Sequence, residues 1–387
     1  MKILVAVTAS TSYGLVRGQL KYFSSKGNDV YLLSGNSPGL QDDVQAEGAT
    51  HVPVRMQREI SPIHDGISLF CIIRRFSQLD LDIVNAGTPK AGLLCVIAAR
   101  LCRVPKVVYT CRGLRYEHES GLLRYVLKLT ERICGALAHT VICISPSVKN
   151  KAIADRVFRK SKCVVIGRGS SNGIDIDYFH PDHVSGSVTQ TIKTDLCLQG
   201  AFVFGFVGRL SDRKGINELV WAFETIAQRT PRVKLLLVGS EEPGQLANRS
   251  QLMSAIHSNP NIVWVGYQTR DQVRAFYSVF DLLILPAWWE GFGNVLVEAA
   301  AMGIPVLSTY ATGTVDAVDD GNNGTLVPVN DENELTEAML RYKDDPELVK
   351  KHGEYGRLWA ENFSNMAIWH GLAEVLTLNA KAGEDSR

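Results

Sequence analysis

The sequence has 387 residues, which is too long for one ordinary hydrophobic core and fits two domains. Its 45% hydrophobic and 21% charged residues are typical of a globular protein and exclude a disordered or fibrous chain. No stretch approaches the roughly 20 apolar residues of a membrane-spanning helix, so we expect any membrane contact to be peripheral.

Charge is distributed unequally between the two halves of the chain. Residues 1–190 contain 24 Lys and Arg against 15 Asp and Glu, whereas the rest contains 17 against 25. A basic half favours an anionic partner, either a phosphate-rich ligand or an anionic membrane, although a chance distribution over two solvated surfaces stays open. The basic residues have no array of aromatic residues among them, so we predict no nucleic-acid partner.

The eight cysteines all lie at or before Cys197, mostly inside apolar runs. They form no Cys-x-x-Cys pair and no Cys/His cluster with zinc spacing, so we predict free thiols and a cytoplasmic protein. The first apolar run, Lys2–Val7, is shorter than the roughly 7–15 residues of a signal-peptide core, and we interpret it as a buried strand.

Short apolar runs alternate with helical patterns along the first half, which is typical of α/β domains with parallel sheets. Helices are predicted over residues 15–26, 91–101 and 122–136. The predicted strands are Ile3–Thr8, Asp29–Leu33, Ile83–Asn85, Lys106–Thr110, Thr140–Ile144 and Cys163–Ile166.

The second half repeats this alternation after a break in the pattern. Pro181–Gln199 is rich in Ser and Thr with little apolar periodicity, and we interpret it as the edge of an interdomain linker. We therefore expect domains over residues 1–183 and 200–363, with a C-terminal helix over residues 364–387 that crosses back to the first domain. The predicted strands are Phe202–Val207, Val233–Val238, Ile262–Val265, Leu282–Leu285, Val306–Ser308 and Thr325–Val327, and the predicted helices are Ile216–Gln228, Arg270–Phe280, Asn294–Met302 and Glu332–Lys343.

A turn rich in glycine separates the predicted strand ending at Leu285 from a helix for which Asn294 is the predicted N-cap. Glycines in the turn let the backbone approach a ligand, and the N–H groups at the helix start favour a phosphate. Glu290 before the helix and Glu298 inside it can line one pocket, where carboxylates accept hydrogen bonds from sugar and ribose hydroxyls. The candidate ligand-binding residues of this segment are Gly291, Phe292, Gly293, Asn294, Val295 and Glu298.

Two cations follow the predicted strand that ends at Gly208, itself a candidate donor-binding residue. Arg209 offers a planar fork for phosphate oxygens and Lys214 a point charge, so together they can hold a diphosphate. Cations at a strand end are usually only solvated, but the glutamates in the same domain favour a site. We predict that Arg209, Lys214 and Glu290 are catalytic.

These motifs resemble retaining glycosyltransferase family four over nearly the whole chain. The resemblance implies an α/β GT-B fold, in which two Rossmann-like parallel-sheet domains face each other across a cleft. It implies that Arg209 and Lys214 bind the donor diphosphate, with retention of configuration and no divalent metal. It also implies that Glu290 lies against the transferred sugar and that Glu298 holds the ribose. The matching residues are Gly208-Arg209, Lys214-Gly215, Glu290–Glu298 and Gly303-Ile304-Pro305.

The first strand-to-helix turn, residues 8–18, lacks a clean G-x-G-x-x-G pattern, so a dinucleotide site is poorly supported. Members of the family carry a glycine-rich loop here near the diphosphate, a role that Gly14 matches. The spacing Asp80-Leu81-Asp82 is interpreted as a helix-to-strand turn, and we predict neither a metal site nor a cofactor. Candidate contacts to the acceptor or to the transferred sugar are Arg17, Lys90, Arg112 and Ser170.

Arg112 lies in the run Thr110–Glu117, which resembles the bacterial capsule and O-antigen branch of the family. Many relatives carry a histidine near this position and this chain does not, so the presence of a catalytic histidine stays open. His118 is interpreted as an exposed loop residue. Ser170 lies in the glycine- and serine-rich segment Gly167–Asp175, which we expect to line the cleft, although a plain flexible connection is the alternative.

We expect a retaining transferase that moves a hexose or N-acetylhexosamine from a nucleotide sugar, with UDP as the default, to a polyprenyl-diphosphate-linked glycan. The pathway implied is capsule, O-antigen or exopolysaccharide synthesis. Basic and apolar residues interleave at Ile72–Phe76 and Leu122–Leu129, which suits an anionic membrane surface on the cytoplasmic side or equally a core-facing helix. The alternatives are a sugar-nucleotide epimerase on the same fold and a non-catalytic nucleotide-sugar-binding subunit of an envelope assembly complex.

Overall fold

A computed structural model describes residues 1–57 and 61–377 of the chain. The chain divides into two compact units, one formed by Met1–Gly173 with the segment from Asn365, the other by Ile174–Ser364. The first stretch thus ends at Gly173 rather than at residue 183. Residues 378–387 of the predicted C-terminal segment lie outside the described residues.

The first unit is built on a sheet of parallel strands. The order β3-β2-β1-β4-β5-β6-β7 reverses the direction of the crossovers between β1 and β4. In open α/β sheets, ligands bind outside the carboxyl ends of the strands at such a reversal. The strands are β1 (Lys2–Ala6), β2 (Asp29–Ser34), β3 (Ala49–Pro53), β4 (Ile83–Gly87), β5 (Lys106–Cys111), β6 (Thr140–Cys143) and β7 (Cys163–Val164).

Helices cover both faces of this sheet, as a buried parallel sheet requires. Leu4 and Ala6 of β1 point to the face covered by α3, α4 and α5, whereas Ile3 and Val5 point to the opposite face. α1 begins only at Gln19, because a 3₁₀ turn precedes it. The helices of residues 1–173 are α1 (Gln19–Ser25), α2 (Leu40–Ala46), α3 (Pro62–Leu79), α4 (Pro89–Leu101), α5 (Gly121–Leu137) and α6 (Pro146–Ala154).

The second unit has the same architecture with a sheet of order β10-β9-β8-β11-β12-β13. All its pairs are parallel, and the crossover direction reverses between β8 and β11. Its strands are β8 (Phe202–Val207), β9 (Val233–Val238), β10 (Ile262–Trp264), β11 (Leu282–Leu285), β12 (Val306–Thr309) and β13 (Gly324–Val327). Its helices are α7 (Gly186–Asp195), α8 (Ile216–Ala227), α9 (Arg249–Ser258), α10 (Arg270–Tyr277), α11 (Asn294–Ala301), α12 (Thr314–Ala317), α13 (Glu332–Asp344) and α14 (Pro346–Ala360).

Several elements were not predicted from the sequence, and for two of them the reason is local. Residues 186–195, expected to be part of a linker, form α7, and the Ser185 hydroxyl caps this helix by accepting a hydrogen bond from the Val188 N–H. The edge strand β3 was not expected, because its five residues, Ala-Thr-His-Val-Pro, contain neither a continuous apolar run nor a regular alternation and end in Pro53.

The last described helix, α15 (Asn365–Thr377), belongs to the first unit. Ile368 and Leu372 join the core on the α1 face of the sheet. The Trp369 indole N–H donates to Asn172 Oδ1 at 2.8 Å. If Gly18 carried a Cβ, that atom would be only 2.6 Å from the Trp369 ring. Gly18 is therefore required for α15 to pack closely against the start of α1.

A buried carboxyl group lies in the core of the first unit. Glu131 of α5 is almost fully buried, and the Tyr109 hydroxyl donates to its two oxygens at 3.0 and 2.9 Å. Burial raises the pKa of Glu131 to about 7, although the hydrogen bond from Tyr109 lowers it. The folded protein therefore holds a proton on Glu131 at pH values at which the unfolded chain has lost it.

Because the pKa of Glu131 is higher in the folded state, the free energy of unfolding should fall as pH rises from about 4.5 through about 7. The linkage amounts to about 3 kcal/mol at most. We expect Glu131→Gln, which keeps an acceptor for Tyr109, to remove this fall. Urea unfolding at pH 5 and pH 8 gives the difference in the free energy of unfolding, and Asp42→Asn, at an exposed position, is the control. An unchanged pH dependence in Glu131→Gln would show that the carboxyl group is ionised in the fold.

Within residues 1–57 and 61–377, none of the helices combines the length and the apolar character needed to span a bilayer.

Candidate functional site

The loops after β8 and β11 meet at the carboxyl edge of the second sheet, at the reversal of strand order. The backbone N–H of Trp288 donates to the Arg213 carbonyl oxygen, with the two atoms 2.9 Å apart. A Cβ on Gly215 would lie 2.0 Å from the Pro286 carbonyl oxygen, so this close approach requires glycine there. The two motifs singled out in the sequence are therefore neighbours at the position where α/β sheets bind ligands.

Lys214 and Glu290 form an ion pair across these loops. Each side chain is only 13% exposed. The ammonium group has three N–H donors, so those that Glu290 does not accept can donate to further anions. The structure thus brings together two of the predicted catalytic residues.

The third predicted catalytic residue, Arg209, pairs with a carboxylate that the sequence did not point to. Glu242, in the segment after β9, accepts a hydrogen bond from Arg209, and its other oxygen lies 3.6 Å from Nη2 of Arg213. Arg213 also lies over the Trp289 ring, at 5.4 Å from its centroid. Three cations and two carboxylates therefore share this edge of the sheet.

Backbone contacts hold the Glu290 loop in place. The Glu290 N–H donates to the Thr312 carbonyl at 2.9 Å, and a Cβ on Gly313 would lie 2.4 Å from the Glu290 carbonyl oxygen. Phe292 turns into the core against Phe363, with the ring centroids 5.1 Å apart. The Phe292 side chain is thus a core residue, which leaves only its backbone for the predicted donor contact.

The N-terminus of α11 differs in one detail from the prediction. Gly293, not Asn294, is the N-cap, with a left-handed conformation at φ 78° that favours glycine. Asn294 and Val295 are the first helical residues. Gly208 and Gly291 are neighbours in sequence of Arg209 and Glu290, respectively, so the segments predicted to contact the donor lie at the ends of β8 and β11.

Glu298 of α11 is hydrogen-bonded by a buried tyrosine of α10. The Tyr277 hydroxyl donates to Glu298 Oε2 at 2.9 Å and lies 3.4 Å from the Val295 carbonyl oxygen. Burial raises the pKa of Glu298, although Tyr277 and Arg270 lower it. The two carboxylates of the motif therefore have different partners: Glu290 a lysine, Glu298 a tyrosine.

The first unit has a corresponding edge at the reversal between β1 and β4. The Thr8 and Thr88 hydroxyls are 2.8 Å apart and join the two strand ends. Thr88 has a positive φ of 72°, a strained conformation for a β-branched residue. Gly14 lies in the 3₁₀ turn after β1, and a Cβ there would meet no described atom within 4 Å, so local packing does not require glycine at this position.

The N-terminus of α1 is already closed by a carboxylate of the same unit. Glu47 accepts hydrogen bonds from the Gly18 N–H at 2.9 and 3.0 Å and from the Lys21 N–H at 3.2 Å. The Tyr13 hydroxyl also donates to it. A phosphate could use these N–H groups only after Glu47 had left, so this helix start is not an open anion site.

Arg112 directly follows β5 and has a partly unsatisfied guanidinium group. Its side chain lies over Gly87, where a Cβ would stand 2.7 Å from Arg112 Nε. The atoms Nε and Nη1 are buried and have no hydrogen-bond partner among the described residues. Burial lowers the pKa of Arg112 to about 10. A guanidinium in this state gains the most from an anionic or strongly polar ligand.

The other first-unit candidates have local partners. Lys90 pairs with Asp65 at 2.7 Å. Arg17 is exposed near the Tyr13 ring, and its carbonyl accepts from Asn172. Ser170 is buried with φ 80°, and its hydroxyl accepts from the Gly173 N–H at 3.0 Å, so the structure gives it a role in the turn.

Sequence reasoning missed Glu242, Arg213 and Tyr277. Arg213 is adjacent to Lys214 and could have been included on spacing alone. Glu242 and Tyr277 belong to segments without a recognised motif, and only the order of the strands brings them to the site. Within residues 1–57 and 61–377, no group of three or more His, Cys, Asp or Glu side chains is arranged to hold a metal ion.

Comparison with known proteins assigns the family. Residues 15–178 match the model for Glycosyltransferase Family 4, and residues 190–359 match that for Glycosyl transferases group 1. The capsular polysaccharide biosynthesis glycosyltransferase CapM of Staphylococcus aureus is 35% identical over 384 residues, or 99% of this chain and 98% of CapM. This chain belongs to glycosyltransferase family 4.

Other relatives of this glycosyltransferase agree with the assignment. The UDP-Gal:alpha-D-GlcNAc-diphosphoundecaprenol alpha-1,3-galactosyltransferase of Escherichia coli is 26% identical over 87% of this chain and 86% of its own length. Anabaena HepE in complex with UDP and glucose superposes with a TM-score of 0.81 at 21% identity, covering 97% of this chain and 99% of HepE. The GT-B fold expected from the sequence is confirmed.

The two buried nitrogen atoms of Arg112 that have no partner among the described residues predict a conflict between stability and function in this glycosyltransferase. We expect Arg112→Met to raise the melting temperature by about 2–4 °C, because buried donors of a cation without acceptors cost free energy that an apolar side chain does not. Sugar transfer should fall in the same variant. Differential scanning calorimetry with exposed Arg115→Met as the control tests this, and a lower melting temperature for Arg112→Met would mean that the guanidinium stabilises the fold.

Proposed function

We propose that this glycosyltransferase moves a hexose or N-acetylhexosamine, with retention of configuration, from a UDP-sugar to a polyprenyl-diphosphate-linked glycan. The observation that carries the proposal is the group of three cations at the β8/β11 edge, with Glu290 ion-paired to one of them. Charge builds on the leaving diphosphate in the transition state, and fixed cations stabilise it there.

In this proposal, Arg209 and Lys214 make different contacts with the diphosphate. Arg209 presents a fork for two phosphate oxygens, whereas Lys214 supplies a point charge oriented by Glu290. The N-terminus of α11 begins directly after the Glu290 loop and adds N–H groups and a favourable dipole. In this proposal, Gly208, Gly291, Gly293, Asn294 and Val295 approach the donor through their backbone.

The two carboxylates are assigned to hydroxyl groups of the donor. Glu290 lies against the transferred sugar, and Glu298 accepts from the ribose while Tyr277 holds it in place. Burial raises the pKa of Glu298 and so disfavours its ionised form. A hydrogen bond donated by a ligand hydroxyl would stabilise that ionised form. For retention we favour front-side attack, with the leaving phosphate as base, as the resemblance to the family implies.

The choice of donor and acceptor draws on the relatives. HepE was solved with UDP and glucose, and the E. coli relative is named for transfer from UDP-Gal to a diphosphoundecaprenol-linked sugar. CapM is named for capsular polysaccharide biosynthesis. We therefore assign this enzyme to capsule, O-antigen or exopolysaccharide synthesis, with Arg112 and Lys90 on the acceptor or sugar side.

We also propose that the first unit rests on the cytoplasmic face of an anionic membrane. Ile63, Ile67 and Phe70 form an exposed apolar line on α3, at positions that share one face of a helix. Exposed Leu122 and Tyr125 begin a similar line on α5. α4 packs between these two helices, so both lines belong to the same layer. The exposed basic residues of these helices are Arg74, Arg75, Arg124 and Arg132.

The release of free nucleoside diphosphate tests the transferase directly. Purified protein is incubated with UDP-, GDP- and ADP-sugars, with and without a polyprenyl-diphosphate-sugar acceptor. We expect release from a UDP-sugar only when the acceptor is present. A new nucleotide sugar formed without acceptor would instead identify an epimerase. Tight nucleotide-sugar binding without any reaction would identify a binding subunit.

Removal of the paired lysine should affect catalysis much more than folding. We expect Lys214→Ala to lower kcat by about 10²-fold or more, because the variant lacks one of the positive charges that stabilise the leaving diphosphate. Exposed Lys350→Ala, in the same unit, serves as the control for loss of one positive charge. Steady-state kinetics and thermal unfolding are measured on both variants, and near-normal turnover in Lys214→Ala would contradict the assignment.

Membrane contact is tested by sedimentation with vesicles that contain or lack phosphatidylglycerol. We expect binding only to the anionic vesicles, and we expect Phe70→Ser with Leu122→Ser to weaken it about tenfold or more, because two apolar side chains are lost from the surface. Leu358→Ser removes another exposed leucine, in the second unit, and should leave vesicle binding unchanged. Equal binding of the double variant and the wild type would overturn this surface.

A further inference from the structure

Glu242 stands beside the two arginines that follow β8. One of its carboxylate oxygens accepts a hydrogen bond from Arg209, and the other lies 3.6 Å from Nη2 of Arg213. That second oxygen is buried and makes no hydrogen bond with the described residues. The Glu242 side chain is 20% exposed, against 45% for Arg209, so the carboxylate is the less accessible partner of this pair.

The backbone around Glu242 is fixed to the backbone that follows β8. The Glu242 N–H donates to the Leu210 carbonyl at 3.0 Å, and the Leu210 N–H donates to the Ser240 carbonyl at 2.9 Å. A Cβ on Gly239 would lie 1.9 Å from the Gly208 carbonyl oxygen, so the two segments pack backbone to backbone. The carboxylate therefore leaves the arginines only by rotation of its own side chain.

We propose that Glu242 is a built-in counter-ion, which occupies the arginines of the site until the donor diphosphate displaces it. The inference rests on the proposed function and concerns how tightly that site holds a nucleoside diphosphate. Carboxylates and phosphates take the same charge-assisted hydrogen bonds from a guanidinium, so one edge of Arg209 cannot serve both at once.

The charge balance of the site supports this role. Arg209, Arg213 and Lys214 supply three positive charges, and Glu242 and Glu290 supply two negative ones. A diphosphate adds at least two further negative charges, so with both carboxylates in place the anions outnumber the cations. Repulsion then weakens the binding of both donor and product.

A weaker hold on the product has a use in turnover. Product release, rather than the chemical step, limits the turnover of many enzymes. A carboxylate that returns to Arg209 as the diphosphate loosens replaces the lost contacts, so the guanidinium is never left without an anion. Glu242 thus lowers the barrier to product departure at some cost in donor affinity.

The test compares two neighbouring carboxylates. Glu242→Gln keeps the shape and one acceptor but removes the charge. Glu241→Gln is the matched control, because Glu241 pairs with Arg249, with Oε2 and Nη2 3.0 Å apart, and not with the arginines after β8. Isothermal titration calorimetry of the full chain with UDP and with inorganic pyrophosphate, at fixed ionic strength, gives the dissociation constants.

We expect Glu242→Gln to tighten the binding of UDP and pyrophosphate about tenfold, and Glu241→Gln to change it less than twofold. Unchanged or weaker binding in a folded Glu242→Gln would overturn the inference, since Glu242 would then position the arginines rather than compete for them. If the wild type binds neither UDP nor pyrophosphate, the proposed function fails as well. Binding by the wild type without tightening in Glu242→Gln refutes only the counter-ion.

Discussion

The pairing of β8 with β11 brings together residues that are far apart in the sequence. Both strands are parallel, so their carboxyl ends lie at one edge, and the crossovers on either side run in opposite directions and leave that edge uncovered. The loops that leave these strands touch through the backbone, because Gly215 has no Cβ to hold them apart beside Pro286. The ion pair of Lys214 with Glu290, and with it the chemistry proposed for the site, exists only because of this contact.

The two units differ in the partners that they provide for partly buried cationic side chains. In the second unit, Arg209 and Lys214 each have a carboxylate, so the site is nearly neutral before any ligand arrives. In the first unit, two buried nitrogen atoms of Arg112 have no hydrogen-bond partner in the part of the chain that the structure describes. Burying a charged group without hydrogen bonds costs more free energy than burying it with a partner. In the second unit, a ligand anion would therefore replace an existing carboxylate contact, whereas at Arg112 it would supply a contact that the described residues do not make.

The sequence was sufficient for the fold class and for much of the candidate site. Buried parallel strands give continuous apolar runs, so β8 and β11 could be predicted, and the charged residues at their ends could be named with them. What could not be predicted was the choice of partners. Glu242 reaches Arg209 because β9 pairs with β8, and the order of strands in a sheet is not a local property of either segment. α7 escaped prediction because none of its residues is buried, which removes the apolar periodicity that marks a helix.

The return of α15 to the first unit affects how the chain acquires its structure. Ile368, Leu372 and Leu376 are part of the core on the α1 face, so translation must pass Leu376 before that core is complete. The second unit is one uninterrupted segment, Ile174–Ser364, and all of it is synthesised before α15. During translation, the unit that begins first is therefore completed last, the reverse of the usual N-to-C order of domain folding. Until α15 is synthesised, the core on the α1 face lacks the apolar side chains of that helix.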